Sequence, residues 1–112
     1  MIEIHWTVEA RHTLADIRDY ITEIEHAPLN AEKVLRRLIN RVEQLRVSPQ
    51  SGRSVPDYRD TQIRELLEKP YRIIYLIVNE ERIDILSLMH YRQLLPKKRE
   101  ILQATRSIRS KP

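Results

Sequence analysis

Two apolar runs of strand length, Tyr71–Val78 and Ile83–Met89, flank the polar residues Asn79, Glu80, Glu81 and Arg82. Both are rich in β-branched and aromatic side chains, so they read as a β-hairpin. Asn79 tolerates the left-handed backbone that a tight turn calls for. The restrictive feature is that neither strand has a wet face. A half-buried strand alternates apolar with polar, because successive side chains point to opposite sides. Here Tyr71, Ile73, Tyr75 and Ile77 fall on one side, and Arg72, Ile74, Leu76 and Val78 on the other. Strict alternation in the second strand puts Ile83, Ile85 and Met89 on one side and Leu86 and Leu88 on the other. A sheet built on this pair needs cover on both sides.

The rest of the chain shows what cover it can offer. Met1–Trp6 alternates, with Ile2, Ile4 and Trp6 against Glu3 and His5, and reads as a short strand. Thr7 is placed to cap a helix, with Glu9 favoured in its first turn. From Val8 to about His26 the stripe Ala10, Leu14, Ile17, Ile21, Ile24 is helical, and Pro28 is expected to end it. Asn30 can cap a second helix from about Ala31 to Val47, with Ala31, Leu38, Val42 and Leu45 on its inner stripe. The short connection makes the two helices an antiparallel hairpin. Residues 48–57 hold two prolines and the only glycine, Gly52, and read as a loop. Gln62–Leu67 is a further strand. Pro96 can open a third helix to about Ile108. From Arg92 to Pro112 there are seven basic residues and one acid, so the formal charge of +4 is local to this tail.

The expected fold is therefore α+β: an N-terminal strand and a helix hairpin on one face of a mainly antiparallel sheet of about four strands, with a basic C-terminal helix or tail at 93–112. At 112 residues the chain is expected to be one domain. Two helices cover about one sheet face; the tail, with Ile101, Leu102 and Ile108 apolar, can shield part of the second but is short and heavily charged. Tyr75, Ile77, Leu86 and Leu88 are thus expected to leave an apolar surface for a partner segment. On that reading the free chain is poorly soluble or self-associated.

Composition excludes several classes. The chain has no cysteine, hence no disulfide and no thiolate metal site, which suits a reducing cytoplasm. One glycine excludes glycine-rich phosphate loops. The longest apolar run, Ile73–Val78, is far below the ~20 residues of a membrane span. Met1–Trp6 does not read as a signal peptide. His5, His12, His26 and His90 show no ligand spacing, so neither metal nor cofactor is expected.

The order helix hairpin, Pro49-x-x-Gly52-Arg53, Ile63-Arg64-Glu65-Leu66, Tyr71-Arg72-Ile73-Ile74-Tyr75, Ile83-x-Ile85-Leu86, His90-x-Arg92 resembles the RelE/ParE superfamily of bacterial toxins, over roughly Ile4 to Gln93. The resemblance implies a small cytoplasmic toxin that inhibits growth and is neutralised by a co-encoded antitoxin in a hetero-oligomer. Tyr75, Ile77, Leu86 and Leu88 would then be the antitoxin-binding residues. ParE-like members poison DNA gyrase and lack nuclease residues; RelE-like members are ribosome-dependent mRNA endonucleases. The Pro-x-x-Gly-Arg loop and the His-x-Arg ending look more like ParE. Ahead of the arginine strand, Arg53, Arg59 and Glu65 match the nuclease set only in part. A non-toxic binding module is the third reading.

RNA cleavage by a 2′-hydroxyl needs a base, an acid and a cation at the phosphate. In the RelE-like reading Arg72 is that cation, His90 the acid or base, Tyr91 a stacking or proton-donating group, and Arg64 a phosphate contact. Against this, Arg72 can pair with Glu65 or Glu68, His90 can be a structural strand-end residue, and Tyr91 can pack on the tail. Arg53, Arg92, Lys97, Lys98 and Arg99 are candidate contacts to nucleic acid or another target, or form a solvated face or an anchor for an acidic antitoxin.

Overall fold

The structure is a computed structural model that describes residues 1–93 and 95–110, and of Lys98 the backbone only. Strand β1 (Glu3–Trp6) leads into helix α1 (Val8–Asp19), which continues as a π-helical turn, Tyr20–Ile24. Helix α2 (Pro28–Glu43) ends in a 3₁₀ turn, Gln44–Arg46. The two-residue strand β2 (Arg53–Ser54) and a 3₁₀ turn (Pro56–Tyr58) precede β3 (Ile63–Glu68), β4 (Tyr71–Asn79), β5 (Arg82–His90) and helix α3 (Lys98–Arg109). The sheet order is β1-β5-β4-β3-β2, with β1 parallel to β5 and the other pairs antiparallel. The α+β architecture is as expected, with a fifth strand in the loop after the helix hairpin.

Local chemistry explains most boundaries. Thr7 caps α1, its Oγ1 accepting from the Ala10 N–H at 3.0 Å. Pro28 does not end a helix but opens α2 at its first position, where a missing N–H costs nothing. The first helix ends instead at the π-helical turn, and His26, at φ 53°, reverses the chain. Asn79 is not left-handed. Its Oδ1 accepts from the Glu81 N–H at 2.8 Å, so its side chain rather than its backbone closes the two-residue turn.

Both sheet faces are covered by this chain. The helix hairpin packs Ala10, Ile21, Ala31, Leu38 and Val42 over Leu66, Ile73, Tyr75, Ile83, Ile85 and Leu88. The other face, Ile63, Ile74, Leu76, Leu86 and Met89, is roofed by Val55, Tyr58 and Ile101, with Leu95 and Ile108 at the margin. This corrects the expectation of an open apolar surface. Tyr75, Leu86 and Leu88 are buried, and Ile77 is half-buried against the hairpin-side core, so none forms a free antitoxin-binding face in this conformation. The third helix supplies the missing cover: Ile101, Thr105 and Ile108 recur at steps of four and three, and Ile101 and Thr105 are buried.

A β-bulge decides which side chains share a face. Ile74 pairs with Ser87 and Tyr75 with Ile85, which leaves Leu86 unopposed. Past a bulge the alternation changes phase. Leu88 therefore joins Ile85 under the helix hairpin, and Met89 joins Leu86 under α3. Strict alternation had placed Leu88 beside Leu86. Two threonines of the α1 segment satisfy the backbone here. Thr7 Oγ1 donates to the Ile85 carbonyl at 2.8 Å, and Thr13 Oγ1 accepts from the Leu88 N–H at 3.0 Å.

Candidate functional site

The polar centre of the α3 side is Glu65. Its register partners Arg53 and Ile74 set it among the apolar side chains of that face, and its carboxylate is 1% exposed. A buried carboxylate is costly unless paired. Arg53 meets Oε1 through Nε at 3.1 Å and Nη2 at 2.9 Å. Arg72, on the neighbouring strand, places Nη2 3.3 Å from Oε1 and 3.2 Å from Oε2. The two guanidinium groups differ in access: Arg53 is 65% exposed, Arg72 only 18%. Arg53 thus offers one edge to solvent while the other is held. Arg72 is committed to Glu65, the pairing that its sequence position allowed.

Tyr58 seats α3 beside this cluster. Its hydroxyl donates to the Pro96 carbonyl at 2.8 Å. Lys97 and Arg99 flank the start of the helix and are exposed, as is Arg92. Lys98 belongs to the helix, but its side chain lies outside what the structure describes. The target-contact candidates Arg53, Lys97 and Arg99 therefore sit on the α3 side of the molecule.

Burial, and after it the charge of Asp57, pushes the Tyr58 phenol up to about 12. A phenol raised in the fold keeps its proton when the unfolded chain has lost it. Its contribution is thus whole below pH about 10 and is lost as pH rises through about 12. Tyr58→Phe is expected to flatten the alkaline fall in the urea midpoint between pH 9 and 11.5, and to cost about 1 kcal/mol at pH 7 for the lost hydrogen bond. Burial raises Tyr71 and Tyr75 in the same direction, so part of the limb should remain.

The other nuclease candidates lie elsewhere. Arg64 pairs across the sheet with Tyr75, on the hairpin side, and its Nη1 donates to the Gly52 carbonyl at 2.8 Å. It tethers the loop after α2. Tyr75 holds the same loop: its hydroxyl donates to Pro49 O at 2.8 Å and accepts from Gly52 N at 3.0 Å. Gly52 is needed there because a Cβ would lie 2.6 Å from the Glu65 carbonyl oxygen and 2.6 Å from the Tyr75 hydroxyl. His90 pairs with Tyr71, on the hairpin side, whereas Arg72 pairs with Met89, on the α3 side. The sheet therefore separates Arg72 from His90. The His90 ring is 5.1 Å from the Tyr91 ring and near-parallel to it, and its Nδ1 accepts from the Arg92 N–H at 3.1 Å. Of the set Arg72, His90, Tyr91 and Arg64, only His90 and Tyr91 meet. Among the described residues no cluster of His, Asp and Glu is built to hold a metal ion, and no helix is long and apolar enough to cross a membrane.

Residues 4–95 match the family described as the ParE toxin of the type II toxin-antitoxin system, parDE. The chain belongs to the ParE toxin family. The match ends just before α3. A chain of the chromosomal ParDE TA system from P. aeruginosa is similar in structure, with a TM-score of 0.64 and 26% identity, covering 80% of this chain and 96% of that one. No curated protein matches the sequence. Membership rests on the fold and residue order that the sequence suggested. Glu65, the residue that organises the arginines, stands in the sequence reading as a partial match to the nuclease set and as a possible partner for Arg72, not as a buried centre. Its alternation with Ile63 on an apolar face was the available signal.

Proposed function

We propose that this ParE family member stops growth by poisoning DNA gyrase and is held silent by a co-encoded antitoxin. The observation that carries the reading is the separation of Arg72 from His90. Cleavage of RNA needs its cation and its proton-transferring group within reach of one phosphate. Here one is locked to Glu65 beneath α3 and the other is on the opposite sheet face. The ParDE relative adds support, since its name pairs a toxin with a second component. The exposed basic residues Arg53, Lys97 and Arg99 suit a contact with an acidic protein surface or with the DNA that gyrase holds.

The test is direct. Purified toxin added to gyrase and supercoiled plasmid is expected to accumulate cleaved DNA, and the antitoxin to suppress it. Induction in cells is expected to give filaments and DNA repair signalling while bulk translation continues. Prompt translational arrest with ribosome-dependent transcript cuts, and no gyrase-linked cleavage, would overturn the proposal in favour of the RelE-like activity.

A further inference from the structure

On the hairpin side, at the end of the sheet away from the Glu80–Glu81 turn, a cleft of about 560 Å³ opens between α1, its π-helical turn and the ends of β4 and β5. Three rings, Tyr20, Tyr71 and His90, and two carboxylates, Asp16 and Glu25, line it. The rings of Tyr71 and His90 meet edge to face, 5.9 Å apart at 82°, and form a corner. Tyr91 stacks behind His90, and the Arg92 N–H fixes the imidazole by bonding Nδ1.

The local backbone brings the acids to the rings. Asp16 and Tyr20 are four residues apart on α1 and its extension, hence on one helix face. The π-helical turn lets the Glu25 N–H reach the Tyr20 carbonyl at 3.2 Å, five residues back, which stacks Glu25 over Tyr20. The Tyr71 phenol is raised by burial first and by the charge of Glu25 second, in keeping with that proximity. Neither Asp16 nor Glu25 has an ion-pair partner among the described residues, although arginines occupy Glu65, Glu68, Asp60 and Asp84 elsewhere.

Aromatic faces and bare carboxylates attract the same kind of guest, a cation. Ile17 and Leu88 in the floor suit the methylene stem of a long side chain. A planar guanidinium fits better than an ammonium, because it stacks on a ring while its N–H groups fork onto a carboxylate. Phosphates are repelled. The cleft is thus opposite in charge preference to the basic α3 side. We propose that it receives one arginine side chain presented by a partner protein. This rests on the chemistry of the cleft and not on the gyrase reading.

The probe is N-acetyl-arginine amide, titrated into isotope-labelled full-length protein and followed by NMR. Its uncharged isostere, N-acetyl-citrulline amide, is the control. Saturable shifts at Tyr20, Tyr71 and His90 are expected with the arginine compound alone. The D16N/E25Q double variant, altered only at exposed positions, is expected to weaken them about tenfold. No saturable shift, an equal response to citrulline, or an undiminished response in the variant would each overturn the proposal; the citrulline comparison needs no variant to fold. Repeating the titration on the antitoxin complex separates the sources. A lost response assigns the arginine to the antitoxin, and a retained one to a different protein partner.

Discussion

A chain cut after Gln93 should expose an apolar dye-binding surface and aggregate, whereas the intact chain should stay dispersed and bind little dye. The intact sheet has no open face, because α3 and the Pro56–Tyr58 turn close the side formed by Ile63, Ile74, Leu76, Leu86 and Met89. The cut removes Leu95 and α3 with its Ile101 and Ile108, together with the Tyr58–Pro96 hydrogen bond. Fully burying one such aliphatic side chain contributes roughly 1.5–3 kcal/mol. Partial exposure of several is therefore comparable with the ~5–15 kcal/mol by which a domain is stable at all. A milder form is Ile101→Asp, which puts an unpaired charge in the same place and should cost about 3 kcal/mol or more. Dye fluorescence, light scattering and the urea midpoint report the outcome. A truncated chain with an unchanged midpoint and no dye binding would show that α3 is not the cover it forms here.

That reversal shows what the sequence made legible. The two-sided apolar character of Tyr71–Val78 was plain from alternation, and so was the need for two roofs. Finding the second roof required reading Ile101, Thr105 and Ile108 as a stripe inside a helix dominated by charge. It also required joining them to Val55 and Tyr58 from a proline-bearing loop, and no local pattern links those two segments. The bulge at Leu86 was equally hidden, since one unopposed residue changes the phase of everything after it without altering composition. This is why Leu88 was placed on the wrong face. Arg72 and His90 share a site only in the RelE-like resemblance; the register that pairs Arg72 with Met89 and Tyr71 with His90 puts them on opposite faces, and residue order alone does not show it. The helix cap at Thr7 was readable because it is set within one turn of chain.

Glu65→Leu should destabilise the protein by about 3–5 kcal/mol, while Glu65→Leu with Arg72→Met should recover a good part of that loss. The first change strands a guanidinium that is only 18% exposed, with its Nε already lacking a hydrogen-bond partner. The second removes the stranded charge and leaves a shape that packs beside Met89 and Ile74. Arg53→Ala removes the two shortest contacts to the buried Glu65 but leaves Arg72 paired with it, and should cost about 1.5–3 kcal/mol. Urea denaturation of Glu65→Leu, Arg72→Met and the double variant at pH 7 gives the coupling, and strictly additive effects would mean that Arg72 is not held by Glu65 in solution. The same double variant separates stability from chemistry. If Arg72 only balances a buried carboxylate, a refolded double variant retains toxicity. If Arg72 were the cation of a nuclease, the double variant would fold and yet be harmless, because no methionine can stabilise charge on a phosphate.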